Sequence, residues 1–469
     1  MALLKLWLYV ATLLLRLALC HSSIAVPPTS WENIEYKRLV DLSKSYTQEI
    51  VELTVRNTAN EPNSIYYFAF SNEIFEKISL FTSALQDKRV FVDSALYPDK
   101  STLDDGRVVA YGMVSLPTPI EPGETAGIVI RYSYYAGSTP FPEHIEMGSD
   151  QKLLLETGKL PMSAYPTLDY TLSFIGSNSF SELNAQGDEK LAGREEADAF
   201  TFGPWKDVEP FTDSSLKLVY QHNMPLARIV NLKRDLWVSH WASTLQFEEY
   251  YELINDAAKL KNGFSRAEWM KGQHALKPSS SLVALEMILP PEAEDHYYTD
   301  LVGMVSTSRV LSNHYFLKPR FPLFGGWKFN FTIGWTNQLS QFLHTDSSKE
   351  EYVLSVPILN GPLDTFYDNV DFSVYLPEDA EVLDVFSPLP SKETKVTTKK
   401  SYFDLRDGHI KVSISLENLT DEVKNGEVLI RYKYTKVAFY KKVLSISSYV
   451  FVALMCFFFF KQIDLTIKN

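Results

Sequence analysis

Apolar and polar side chains alternate along much of this chain. In "KFNFTIGW" (Lys328–Trp335), Phe329, Phe331 and Ile333 are separated by Asn330, Thr332 and Gly334. Successive side chains of an extended strand point to opposite faces, so this period of two predicts a half-buried strand. The same period appears in patches through Glu35–Val55, best in Ile50–Val55, and in "DYTLSFIGS" (Asp169–Ser177). "SIYYFAFS" (Ser64–Ser71) and "GRVVAYGMVSLP" (Gly106–Pro117) read as buried strands, and Glu121–Gly137 as a turn followed by a strand. "GPWKDVEPF" (Gly203–Phe211) reads as a proline-bounded loop.

A second strand-rich region opens near Leu232. Leu236–Asp256 is extended, Ser281–Asp300 is a strand ending in an acidic loop, and Val370–Pro388 repeats that design. "NGEVLIRYKYTK" (Asn425–Lys436) echoes "AGIVIRYSYYAG" (Ala126–Gly137), which hints at duplicated modules; ordinary strand composition is the alternative. Away from the two ends, a helix is indicated only at Ala267–Ala275. Strand-length runs punctuated by Pro, Gly, Asn and Asp predict β-sandwich-like domains.

Both ends are apolar. Lys5 precedes a hydrophobic run, Leu6–Cys20, that Arg16 interrupts and small residues follow, as in a secretory signal peptide. Cleavage is expected after Cys20 or after Ala25. Near the other end, Val443–Phe460 carries no charge between Lys442 and Lys461. Eighteen residues at about 1.5 Å each span about 27 Å, close to the hydrocarbon thickness of a bilayer. Lys433, Lys436, Lys441 and Lys442 outnumber the lysines that follow the span, against the usual charge bias. A cleaved signal would nevertheless commit the large body to translocation, giving a type I protein. The expected layout is mainly β: signal peptide 1–25, two β-sandwich-like lumenal domains at 26–230 and 231–439, one transmembrane helix at 440–460, and a cytosolic tail at 461–469.

Composition narrows the function. Aromatic residues make up 13% of the 469, which suits pleated surfaces. The net charge of −13 and the lack of a long basic run argue against nucleic acid as a partner. Cys20 and Cys456 lie in the apolar ends, so the body holds no disulfide and no cysteine-ligated zinc. No two of the nine histidines lie within ten residues of each other, which excludes an H-E-x-x-H helix. There is no G-x-S-x-G elbow, P-loop or G-x-G-x-x-G. His240, between Ser239 and Trp241, is the most site-like group, with a packed strand residue as the plainer reading. No catalytic residue, metal site or cofactor is expected. Asn330-Phe331-Thr332 and Asn418-Leu419-Thr420 are N-glycosylation candidates.

"KPRFPLFGGWK" (Lys318–Lys328) stands out. Two prolines bracket Arg320 and Phe321, and Gly325–Gly326 separates Phe324 from Trp327. The glycines predict a tight structural turn. This segment resembles the most characteristic stretch of the ribophorin I family. "VSHWASTLQFEEYYEL" (Val238–Leu253), "GFSRAEW" (Gly263–Trp269), "DHYYTDLVGMVSTSRV" (Asp295–Val310) and "LPEDAEVLDVFSP" (Leu376–Pro388) follow that family's pattern. So do "SAYPT" (Ser163–Thr167), "FGPWKDVEPF" (Phe202–Phe211), "VDLSKSYTQEIVELTVRNT" (Val40–Thr58) and the ending "QIDLTIKN".

The resemblance implies a non-catalytic subunit of the oligosaccharyltransferase of the endoplasmic-reticulum membrane. That complex moves an oligosaccharide from dolichol pyrophosphate to the Asn of N-x-S/T. The expected partners are the other subunits, including a polytopic catalytic one, together with membrane lipid, nascent polypeptides and the translocation channel. Ser445, Ser447 and Ser448 are expected to pack the membrane helix against other subunits. Some family members carry a cytosolic extension that contacts the ribosome; this sequence stops nine residues after Phe460, so that role is not expected. A glycan-processing hydrolase, needing two facing carboxylates, and a chaperone or adhesion ectodomain binding peptides at open sheet edges are the alternatives.

Overall fold

A computed structural model describes residues 30–462 except 87–89, 136, 184–192, 197, 213, 273–278, 347–349, 402–403 and 405–407. The expected signal peptide and residues 463–469 lie outside the described residues. Two compact units emerge: the described part of Met1–Thr139 with Leu153–Gln221, and Pro140–Lys152 with the described part of His222–Asn469. The boundary expected at 230/231 falls inside a continuous strand, Ala227–Ser239.

The first unit is organised around Trp31–Asp41. This strand pairs antiparallel with Thr47–Asn57 and parallel with Thr167–Ile175. Thr125–Tyr134 extends the sheet on one side and Ala199–Val208 on the other. The sheet path continues through Ile78–Leu85, Phe91–Leu96 and Val108–Ile120 to Asn63–Ser71. Phe68 and Phe70 of that last strand reach back to the rings of Tyr36 and Tyr132, so the far end of the path lies over its middle. Buried aromatics fill the space between the layers. Gly203–Val208 belongs to the strand Ala199–Val208 and is not the loop its prolines suggested. A register shift opposite Tyr170 and Leu172 accommodates Pro204, and Trp205 stacks on Tyr170 at 5.5 Å.

The second unit repeats this plan. Ala227–Ser239 pairs antiparallel with Thr244–Asn255 and parallel with Phe366–Leu376. Lys328–Gln338 and His409–Thr420 flank them. The five strands occupy the same sheet positions and the same chain order as the five central strands of the first unit. The strand pair that echoes in sequence is a different one: Glu427–Lys433 lies in a separate four-stranded sheet, whereas the positional partner of Thr125–Tyr134 is Lys328–Gln338. That four-stranded sheet contributes Leu354, Val356, Val428 and Ile430 to one core with Leu236, Phe247, Trp335, Val374 and Val412. The acidic "loop" after Ile288 is in part a strand, Glu294–Asp300, with Tyr298 buried.

Among the described residues, each unit buries an arginine–glutamate pair. In the first, Arg38 donates to Glu49 at 2.6 and 2.8 Å, and Tyr134 donates to the same carboxylate at 2.6 Å. In the second, Arg234 and Glu249 meet across the central hairpin with both side chains fully enclosed.

The C-terminal helix runs Lys436–Gln462, four residues earlier and two later than the expected span. Ala438 N donates to Thr435 Oγ1 at 3.1 Å and Lys436 N to Glu350 Oε1 at 3.1 Å, satisfying donors that a helix start leaves open.

Candidate functional site

The segment that drew attention in the sequence is a backbone lock. Trp327 N donates to Phe324 O at 3.0 Å, closing the turn over Gly325 and Gly326. The two glycines serve different needs. A Cβ on Gly325 would lie 2.1 Å from Ala257 O and 2.2 Å from Ala258 O, so no side chain fits there. Gly326 has room beside Lys259 but adopts φ of +79°, which L-residues with a Cβ resist. The turn seats Phe324 in the core against Phe264, Trp269 and Trp327, with ring centroids 5.5–5.6 Å away.

Asn255 holds this turn, and no sequence expectation singled it out. Gly326 N donates to Asn255 O at 2.7 Å, and Asn255 N donates to Trp327 O at 3.2 Å. Its side chain donates to Ser280 O and Leu323 O at 2.8 and 2.9 Å, and accepts from Leu226 N and Ala257 N. The first unit contains the same device. Gly123 N donates to Asn57 O at 2.8 Å, Asn57 N donates to Glu124 O at 3.0 Å, and Gly123 has φ of +81°. The signal was present as two asparagines closing matching strands, "TVRNTA" and "ELINDA", but a lone polar residue carries no period.

Arg320 organises a neighbouring feature. Its guanidinium pairs with Asp300 and donates to Met304 O at 2.9 Å and Gly303 O at 3.2 Å. Asp300 Oδ1 also accepts from Val302 N and Gly303 N at 2.9 and 3.0 Å. These bonds hold the Asp300 carboxyl below its usual range, the arginine being the main cause. They fix a loop tip on which Leu301 and Val302 are 84% and 83% exposed.

Three histidines make defined contacts with neighbouring side chains. His240 lies just past its strand, shares a 2.7 Å hydrogen bond with the Tyr432 hydroxyl and sits edge-on to Tyr352. Burial pushes its pKa down to about 4, so the imidazole is neutral. His409 Nδ1 lies 2.9 Å from Asp404, and His314 Nδ1 lies 2.7 Å from Glu286. Among the described residues, no three His, Cys, Asp or Glu side chains are grouped to hold a metal ion.

Residues 31–461 match the family model described as ribophorin I. The chain belongs to the ribophorin I family. The match takes in both units and all but the last residue of the C-terminal helix. A fission yeast relative (Schizosaccharomyces pombe) named dolichyl-diphosphooligosaccharide–protein glycosyltransferase subunit 1 is 25% identical, over 91% of this chain and 94% of that protein. Subunit 1A of Arabidopsis thaliana is 26% identical over 92% of this chain and 70% of its own length. Subunit 1 of Caenorhabditis elegans is 24% identical over 94% and 74%. Among solved structures, an M1 zinc metallopeptidase from Deinococcus radiodurans is 14% identical over 46% of this chain and 50% of its own, with a TM-score of 0.23, too low to assign a fold.

The helix Lys436–Gln462 is long and apolar enough to cross a membrane. Ser448 donates to Leu444 O at 2.7 Å, so its hydroxyl is satisfied by its own helix; Ser445 is half-buried and Ser447 exposed. Asn330 lies within a strand, half-buried, and donates to the Tyr250 hydroxyl at 3.0 Å. Asn418 is half-buried with φ of +56°, a conformation that asparagine tolerates.

Proposed function

We propose that this chain is a non-catalytic, single-pass subunit of the oligosaccharyltransferase of the endoplasmic-reticulum membrane, with both β units on the lumenal side. The family match across residues 31–461, joined to relatives named as glycosyltransferase subunits, carries the reading. The wider settings of the acidic groups support the non-catalytic part. The fully enclosed carboxylates of Glu49, Glu249 and Asp404 are each spent on an arginine, histidine or lysine partner. Proton transfer needs a carboxyl free to face a substrate.

Its contribution is then architectural: the units supply surfaces that hold other subunits, and the catalytic one among them, around the acceptor chain. The Arg320-clasped tip is one such surface, because a backbone already fixed lowers the ordering cost of binding through its exposed apolar side chains. The glycines of the Phe324–Trp327 turn act through folding. Asn330 and Asn418 are acceptors on this chain itself, modified before their strands close. The test is affinity purification of the tagged full chain in mild detergent. Recovery with a polytopic partner supports the reading, and recovery of the chain alone overturns it.

A further inference from the structure

A cavity of about 390 Å³ lies where the C-terminal helix leaves the second unit. Its volume is within the usual span for small-molecule sites. It is lined by aromatic rings that each pack on a neighbouring ring. Trp237 stacks on Tyr375 at 3.9 Å, and Trp241 packs on Phe439 at 5.3 Å. Tyr434, on the same wall, packs against His240 at 4.9 Å. Charges of both signs share the lining. Lys441 pairs with Asp379 at 2.7 Å, and Lys442 with Glu378 at 3.1 Å. Two lysines face two carboxylates in the lining, and Asp404 pairs with Lys442 as well at 3.2 Å, so both signs are present with no excess of positive charge.

Position decides what such a cavity can take. Lys441 and Lys442 are the last charges before the apolar run, and Ile446 inside that run also lines the cavity. In a membrane-spanning chain the cavity therefore straddles the boundary between water and hydrocarbon. A ligand there needs a polar head and an apolar tail. An anionic head finds carboxylates beside every lysine. A zwitterionic head matches both signs: phosphate toward Lys441 and Lys442, and quaternary ammonium toward Asp379, Glu378 and the faces of tryptophan rings. Aromatic faces attract such cations, and tryptophan suits this depth of a bilayer.

We propose that this cavity seats the headgroup of a phosphocholine lipid, with its acyl chains lying along the helix past Ile446. The proposal rests on the membrane-spanning reading above. The experiment uses the full chain, or the complex containing it, extracted in a maltoside detergent and titrated with diacylphosphatidylcholine or diacylphosphatidylglycerol under native mass spectrometry. One phosphatidylcholine should be retained at least tenfold more tightly than phosphatidylglycerol. Trp241→Ala, at a side chain 48% exposed, should lower that retention about tenfold. The swap Asp379→Lys with Lys441→Asp, which keeps the ion pair and reverses its polarity, should lower it as well. Equal or tighter retention of phosphatidylglycerol would overturn the proposal, as would unchanged retention in both variants. So would a photo-crosslinker at position 241 that captures a protein segment and no lipid. Alkaline carbonate extraction separates the two readings: release of the wild-type chain from membranes defeats the spanning helix itself, whereas failure of lipid retention in a membrane-embedded chain defeats only the lipid site.

Discussion

Gly326 and Asn255 are joined backbone to backbone, Gly326 N donating to Asn255 O at 2.7 Å, and Gly123 and Asn57 repeat the bond at 2.8 Å in the first unit. The glycine enters one strand of the central sheet in each unit, and the asparagine closes its neighbour. The two units thus share a strand order and the device that locks two strand ends together.

The two turn glycines should respond differently to substitution. Gly325→Ala forces a methyl against two carbonyl oxygens and should destabilise the second unit by about 3 kcal/mol, as overpacking does. Gly326→Ala should cost about 1–2 kcal/mol for its left-handed backbone, and Gly326→Asn less. Denaturant unfolding of the three variants gives the order; equal losses for both alanines would contradict this account of the turn.

Asn255→Asp should be worse than an ordinary loss of a hydrogen bond. It removes the two donors aimed at Ser280 O and Leu323 O and buries a charge against those carbonyls. A loss of about 3 kcal/mol or more is expected, since unpaired buried groups keep their full desolvation penalty. Asn57→Asp should act likewise on the first unit, where the donors face Glu61 O and Ile120 O. Limited proteolysis of each variant should open the unit that carries the change and leave the other protected.

Arg234 and Glu249 should behave as a pair. Burial drives the Arg234 pKa down to about 10, a sign of how much water the guanidinium has lost. Arg234→Met alone leaves Glu249 charged and buried, and should cost about 3–5 kcal/mol; joined with Glu249→Leu the loss should be much smaller. A double-mutant cycle on unfolding free energy measures the difference. Additive losses would contradict a coupled buried pair.

Acid should weaken the second unit through His240. Its folded pKa of about 4 lies below the ordinary histidine value of 6.5, because burial disfavours the cation. Between those values the unfolded chain takes a proton that the folded chain refuses. Stability is therefore full above about pH 6.5 and falls as pH drops toward 4. The ring is partly exposed, so the loss is about 2 kcal/mol. His240→Gln keeps a partner for the Tyr432 hydroxyl and should flatten this part of the pH profile. A profile unchanged by the variant would assign the acid sensitivity to other groups.

Much of the β architecture was legible because burial imposes a period of two. Thr244–Asn255 buries alternate residues along nearly its whole length. Ala199–Val208 was hidden by Gly203 and Pro204, whose turn chemistry is absorbed there by a register shift. Glu294–Asp300 was hidden by its acidic outer face, which an outer position in the sheet permits. The duplication was sensed through the wrong strands: Ala126–Gly137 and Asn425–Lys436 share ordinary strand composition, while the positionally matched strands share hydrogen-bonding roles. The Arg320 clasp joins residues 16 positions apart in the chain and the Asn255 lock residues 68 apart, meetings in space that no local pattern records.

The most direct test of the central claim is an activity assay on the tagged chain before and after it is stripped of its partners. The mild-detergent eluate should transfer oligosaccharide from a dolichol-pyrophosphate donor to an N-x-S/T peptide, and the chain isolated from that eluate should transfer none while regaining it on recombination. Transfer by the isolated chain would contradict a non-catalytic role, and an inactive eluate free of other subunits would contradict membership of the complex.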